Sequence, residues 1–201
     1  MSGEERPRNR RRLLRIGSTA VGLGALLAVV AFAALPLLSD DGALQGGAGF
    51  GASGVSGVQP VAVAPEPAPD LLGEDPITGE EVALADFGGK PVVINVWASW
   101  CPGCIEEAVD LREFAADHPD VVVLGVDFQD TVQGAREFYR RWEWRHPSIF
   151  DSAGTQTAAL GLFGMPTTFF LDREHRIAAR VVGATDRAGF EHGLQLATRA
   201  S

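Results

Sequence analysis

Apolar and polar positions fall into blocks along the chain. The first long apolar block is "IGSTAVGLGALLAVVAFAALPLL", Ile16 to Leu38, 23 residues without a charge. About 20 apolar residues rising ~1.5 Å each span a hydrocarbon core of about 30 Å, so this block predicts a transmembrane helix. Residues 39–69 are rich in Gly, Ala, Ser, Val and Pro and carry neither a helical nor a strand period. They are expected to be a flexible linker, extended through "APEPAPD", because each Pro biases its predecessor away from helix.

From Asp70 to Ser201 the pattern becomes that of one folded domain of ordinary size. "EEVALADF" reads as a short strand running into the turn Gly88–Pro91. "VVINVWA", Val92 to Ala98, is an almost unbroken apolar run with β-branched residues, the signature of a strand buried on both faces. "CPGCIEEAVDLREFAADH" predicts a helix with Ile105, Ala108, Leu111, Phe114 and Ala115 on one face. "VVVLGVD", Val121 to Asp127, predicts a second buried strand. "TVQGAREFYRRWEW" predicts an amphipathic helix, with Asp130 or Thr131 as its cap. "HPSIFD" reads as a short extended piece and "TQTAALGLF" as a short helix. "TTFFLD" and "RIAARVVG" predict strands joined by a charged turn at Asp172–His175. "DRAGFEHGLQLATRA" predicts the closing helix, capped by Thr185 or Asp186. This order of elements predicts an α/β sheet that ends in an antiparallel pair.

Charge sharpens the reading of the first block. Residues 1–38 carry six Arg and two acids, and the remainder carries eleven Lys or Arg against twenty-four Asp or Glu. Basic residues before the apolar block and Asp40 and Asp41 after it put residues 1–15 in the cytoplasm and everything beyond Leu38 outside. A buried core helix would leave that charge pattern unexplained. A cleavable signal is the competing expectation. "NRRRLLR", Asn9 to Arg15, looks like a twin-arginine export motif, and "AFAA", Ala31 to Ala34, offers a small-x-small cleavage pattern. The length of the run favours an uncleaved anchor, and both routes export the domain. An acidic body argues against nucleic acid as a partner, since phosphate binding wants clustered Arg and Lys.

The domain holds the chain's two cysteines, Cys101 and Cys104, in "WASWCPGCIEE". A structural disulfide between them would close a four-residue loop and constrain little of the unfolded chain. Structural zinc wants four ligands, but there is no second cysteine pair, and His118, His146, His175 and His192 are scattered. A pair of inert buried thiols does not suit a loop between a central strand and a helix start, where sites cluster in such sheets. There the helix dipole and free N–H groups favour an anion, and a Cys in such a motif can fall from about 8.5 to ~3.5–7.5 in pKa. Pro102 suits the first helical turn. Redox exchange follows: a thiolate attacks a disulfide, and the second thiol releases the mixed disulfide. Cys101 is expected to be the exposed nucleophile and Cys104 the resolving thiol.

These residues resemble the thioredoxin superfamily, and more narrowly its membrane-anchored, extracytoplasmic TlpA/ResA-like thiol-disulfide oxidoreductases. The carriers are "GKPVVINVWASWCPGCIEE", "VVVLGVD", "HPSIFDSAG" and "FGMPTTFFLDREHRI" within 70–201; "VVGATD" is generic. The resemblance implies a thioredoxin-like fold with a TlpA/ResA-type insertion near residues 130–160. It implies that Met165, Pro166 and Thr167 form a cis-proline loop facing the cysteines, and that Trp100, Pro102 and Gly103 join them in contacting substrate. It implies no cofactor beyond a redox-active Cys101–Cys104 disulfide. Relatives often carry a second-place Pro in the dipeptide, where Gly103 stands here, so redox poise does not carry over; they often also carry a Pro where this chain has Val109, which affects the helix bend and not the chemistry.

Ordinary thioredoxins place a buried Asp at the position of Asn95, which cannot take a proton. The subfamily uses a Glu three residues after the second Cys, here Glu107, on the same helix face as Cys104. Glu107 is therefore expected to be the general base for Cys104, and Glu106 a solvated neighbour. The resemblance further implies an exported reductant of protein thiols, among them the haem site of apocytochrome c, fed by a membrane thiol donor of the CcdA/DsbD type. Two alternatives stay open: an extracytoplasmic oxidase or isomerase, and a copper-binding chaperone, whose usual Cys-x-x-x-Cys spacing this chain lacks.

Overall fold

The computed structural model describes residues 57–199. The segments expected to be cytoplasmic (1–15) and membrane-anchoring (16–38), and the first part of the linker, lie outside these described residues. Among the described residues no helix is long and apolar enough to cross a membrane.

Among the described residues eight strands and four α-helices follow the chain in the order β1 (Val61–Pro67), β2 (Leu72–Glu74), β3 (Glu81–Ala83), β4 (Val92–Trp97), α1 (Pro102–Asp117), β5 (Val122–Phe128), α2 (Val132–Trp142), β6 (Ser148–Asp151), α3 (Thr155–Ala159), β7 (Thr167–Leu171), β8 (Arg176–Val182) and α4 (Arg187–Arg199). Six strands form one mixed sheet in the order β1-β8-β7-β4-β5-β6. β4, β5 and β6 run parallel, and β7, β8 and β1 extend the sheet by antiparallel pairing. β2 and β3 form a separate hairpin. This is a thioredoxin-like α/β fold with a central mixed sheet.

β4 is buried at every position, as its apolar run requires. Its side chains feed two cores. Val93 and Trp97 point to the side that holds Cys101, Cys104, Ala108, Leu111, Phe114, Phe138, Tyr139, Trp144 and Phe190. Val92, Ile94 and Val96 point to the other, with Leu124, Val126, Ile149, Phe169 and Leu171. Trp97 is fully enclosed and donates its indole N–H to Ser148 Oγ at 3.1 Å. That approach passes over Gly125, where a Cβ would lie 2.9 Å from the indole nitrogen, so only glycine fits there.

The structure corrects the expected linker. Residues 61–67, assigned to it above, form β1, paired with β8 through Val61↔Arg180, Ala62↔Ala179, Glu66↔Ile177 and Pro67↔Arg176, with an irregularity between Ala62 and Glu66. Proline masks the strand in the sequence, because it cannot donate to a ladder. An edge strand needs only one side, and the bulge absorbs the missing donor. The burial face of α1 also differs from expectation. Cys104, Glu107, Ala108, Leu111 and Phe114 are buried, while Ile105 is 38% exposed. Ile105 lies about 100° around the helix from Cys104, and Glu107 takes the inward position.

Candidate active site

The Cys101–Cys104 pair sits where β4 ends and α1 begins. Cys101 is the N-cap of α1, and its Sγ accepts the Cys104 N–H at 3.3 Å. Pro102 occupies the first turn, where its missing N–H costs no intrahelical bond. The two cysteines form a disulfide with Cα atoms 5.3 Å apart. Cys101 is only 3% exposed and Cys104 is fully enclosed. The expected contrast between an exposed and a buried thiol is therefore small in the oxidised form. The helix start still distinguishes them, since Cys101 alone faces the free N–H groups of the first turn.

The Met165–Pro166 peptide bond is cis and lies against the motif. A Cβ on Gly103 would meet Pro166 Cδ at 2.8 Å, so the dipeptide glycine permits this close approach. Thr167 opens β7, is 2% exposed and donates its hydroxyl to the Gly164 carbonyl at 2.7 Å. Met165 is half-buried against the Cys-bearing core. Trp100 is 55% exposed and donates its indole N–H to the Gln129 carbonyl at 3.3 Å. The structure thus brings Cys101, Pro102, Gly103, Cys104 and Pro166 together, with Met165 and Thr167 on the adjoining chain and Trp100 on the rim.

Glu107 is 1% exposed, beneath the motif on the inward face of α1. Its Oε1 accepts from Asn95 Nδ2 at 2.8 Å and its Oε2 from the Thr185 N–H at 3.0 Å. Burial pushes its pKa up from 4.5 to about 8, against the lowering effect of those two donors. A carboxyl in this state exchanges a proton near neutral pH, one helical turn from Cys104. Glu106, by contrast, is exposed. Asn95 also donates to Thr168 Oγ1 at 3.0 Å, which ties the central strand, α1 and β7 into one polar link under the disulfide.

Several contributors are not legible in the sequence. Thr185 is a candidate helix cap there, but Asp186 takes that role by accepting the Gly189 N–H at 2.9 Å. The Thr185 N–H serves Glu107 instead, and its hydroxyl donates to the Val58 carbonyl at 2.6 Å. Val58 in turn donates its N–H to the Ala184 carbonyl at 2.9 Å. The segment leading into β1 therefore braces the loop that holds Glu107. The second missed group is Asp127 on β5, fully buried and paired in register with Trp97. Among the described residues neither of its carboxyl oxygens has a hydrogen-bond donor. Among the described residues no three His, Cys, Asp or Glu side chains converge as metal ligands.

Comparison with known proteins agrees with this geometry. Residues 65–180 match the model of the AhpC/TSA family. The chain is 35% identical over 127 residues to a thiol:disulfide interchange protein DsbE of Pseudomonas aeruginosa, covering 61% of this chain and 67% of that protein. It is 25% identical over 133 residues to a thiol-disulfide oxidoreductase ResA of Bacillus thuringiensis, covering 65% and 76%. Among solved structures, a DsbF homologue from Corynebacterium diphtheriae superposes with a TM-score of 0.63 at 28% identity, covering 68% of this chain and 92% of that one. A secreted thiol-disulfide isomerase from Corynebacterium glutamicum does so with a TM-score of 0.61 at 28% identity, covering 71% and 91%. With a Cys-Pro-Gly-Cys disulfide at a helix start and a thioredoxin-like sheet behind it, the chain belongs to the AhpC/TSA family and is a thiol-disulfide oxidoreductase of the DsbE/ResA type.

Proposed function

We propose that this protein is an exported, membrane-tethered reductant of protein disulfides, acting in cytochrome c maturation on the cysteine pair of apocytochrome c. Cys101 attacks the substrate disulfide, and Cys104 then displaces the substrate from the mixed disulfide. Glu107 accepts the Cys104 proton as that thiol becomes nucleophilic. Trp100, Pro102, Gly103, Met165, Pro166 and Thr167 form the surface on which the substrate segment lies. The spent disulfide is re-reduced by a membrane thiol donor of the CcdA/DsbD type, with no cofactor besides the cysteine pair. Residues 16–38 anchor the chain, with residues 1–15 in the cytoplasm and the catalytic domain outside.

The observation that carries the direction is the burial of both sulfurs in an apolar cluster above a buried acid. Burial disfavours a thiolate, and an acid that ionises nearby disfavours it further. A dithiol whose reduced form is poorly stabilised is a reductant, whereas a strongly stabilised reduced form makes an oxidant. Potentials of thioredoxin-fold dithiols run from about −270 mV for reductants to about −120 mV for the strongest oxidants. The isomerase name of the Corynebacterium glutamicum relative favours the second reading, a general oxidase or isomerase. Equilibration of the full chain with glutathione buffers decides between them. A potential below about −220 mV, with reduction of an apocytochrome cysteine pair, is expected; a value near −120 mV would give the oxidase reading.

A further inference from the structure

A second buried acid lies on β5, in register with the end of the strand that leads into the disulfide loop. Asp127 lies on the same sheet face as Val93, Asn95 and Trp97, level with Trp97 and next to the strand end from which the cysteine loop emerges. It is fully enclosed, and among the described residues no N–H or O–H group reaches either carboxyl oxygen. What it does reach is a second carboxyl group, that of Asp130. Asp130 is itself fully engaged. Its Oδ2 accepts the Ser99 N–H at 2.5 Å, and its Oδ1 accepts the Ser99 hydroxyl at 2.9 Å and the Thr131 N–H at 2.6 Å. Three donors suit a carboxylate, and the start of α2 just beyond it favours negative charge there.

Two facing carboxyl groups, one of them buried without a donor, cannot both be ionised at moderate cost. One proton placed between them resolves both problems, because Asp127 then donates its O–H to Asp130. We propose that Asp127 is a positioning residue: it holds one proton shared with Asp130 and, through Asp130, fixes the Ser99 backbone that leads into Cys101. Ser99 is two residues from Cys101, so its anchor sets where the nucleophile stands at the start of α1. The inference rests on the thiol-disulfide reading of Cys101 and Cys104, and is independent of the redox direction and of the substrate.

The surroundings agree. Burial, then the charge of Asp130 and the hydrogen bond to it, push the Asp127 pKa up from 3.8 to about 8. From α2, the Tyr139 phenol faces the same space, and burial raises its pKa well above 10. Asp75, which accepts the Ser148 N–H at 3.0 Å, acts on Tyr139 from the far side. His146 packs on the Tyr139 ring with centroids 5.6 Å apart, and burial lowers its pKa to about 3, so it brings no positive charge. Cys101 and Cys104, at the start of α1, belong to the apolar core on this face of the sheet and do not titrate while bonded to each other.

The test uses the full chain in its disulfide form, so that the thiols are silent. Asp carboxyl carbons are followed by NMR across pH 4–10, together with the Ser99 amide. The expected result is an Asp127 carboxyl that stays protonated at pH 7 and a Ser99 amide that moves with the same midpoint, near pH 8. In Asp127→Asn the amide N–H replaces the shared proton, so Ser99 keeps its low-field position and loses the transition. Glu107→Gln should keep the transition. Should Asp127→Asn fail to fold, the wild-type carboxyl shifts decide alone. Ionisation of Asp127 below about pH 6 would overturn the proposal, as would a Ser99 transition that persists in Asp127→Asn or disappears in Glu107→Gln. None of these outcomes depends on turnover, so loss of the enzymatic reading and loss of this inference remain separate results.

Discussion

The two acids beside the disulfide are buried alike and served differently. Glu107 is 1% exposed and receives two donors, Asn95 from the central strand and Thr185 from the loop before α4. Asp127 is fully buried and receives none from the described residues; its neighbour is another acceptor. Burial pushes both to about 8. The partners decide what the proton does. A carboxyl with two fixed donors can lose its proton and remain solvated by the protein, which suits the proton exchange with Cys104 proposed above. A carboxyl facing a carboxylate keeps its proton as the only donor available, which suits a strut. Desolvation alone would make the two groups equivalent; their hydrogen-bond partners separate them.

That contrast presupposes that both acids serve one sulfur pair, and the largest expected effect tests it. Cys101→Ser should abolish reduction of a model disulfide and form no mixed disulfide. Cys104→Ser should also stop turnover but accumulate a mixed disulfide through Cys101, visible by mass spectrometry. The reverse pattern would exchange the two roles.

The next effect separates the acids by chemistry. Glu107→Gln keeps size and polarity but cannot accept a proton, so the resolving step should slow by about 10-fold or more, given general-base contributions of about 10²–10⁴. Asp127→Asn keeps a donor toward Asp130 and should slow that step far less. Stopped-flow release of a preformed mixed disulfide measures both.

Stability against pH compares them by linkage. A folded pKa raised above the unfolded value means the native state holds a proton that the unfolded chain releases. For Glu107 the window is pH 4.5 to about 8, and for Asp127 it is 3.8 to about 8. Stability contributed by the neutral acids is complete below these windows and declines as pH rises through them. Denaturant titrations should show wild type weakening between about pH 5 and 8, by up to about 4 kcal/mol for each acid. Each of Glu107→Gln and Asp127→Asn should make that decline shallower. A profile unchanged in Glu107→Gln would mean its carboxyl is solvated.

The smallest expected effect lies in the support of Glu107, not in either carboxyl group. The loop that donates to Glu107 is held by Val58 and by the Thr185 hydroxyl bond to the Val58 carbonyl. Thr185→Val removes that bond and leaves the backbone N–H to Glu107. A loss of about 1 kcal/mol is expected from chemical denaturation, with the Glu107 titration midpoint displaced upward as the donor loosens.

What the sequence discloses follows the same division between local and distant causes. β4, β5, β7 and β8 are legible because buried strands leave nearly unbroken apolar runs, and α2 because its polar face alternates at helical spacing with Ala135, Phe138 and Tyr139 inward. Cys101, Cys104 and Glu107 are legible because three-residue helical spacing places them together. β1 is not, since Pro65 and Pro67 imitate a linker and the partner, β8, is more than a hundred residues away. Asp127 looks like the polar end of a strand. Only the parallel register with β4 and the burial of α2 over it enclose that carboxyl. Thr185 reads in the sequence as a helix cap, and its backbone role toward Glu107 appears only once Glu107 turns inward.

The most direct test of the central claim, that Glu107 handles the Cys104 proton, is the rate of mixed-disulfide release across pH 5–9 in wild type, Glu107→Gln and Glu106→Gln. The wild-type rate should be governed by a group titrating near pH 8. The Glu107→Gln rate should be at least about 10-fold lower at neutral pH with that group's inflection gone, and Glu106→Gln should stay close to wild type. Equal and small effects from the two substitutions would contradict the claim, and would pass the Cys104 proton to water or to the substrate itself.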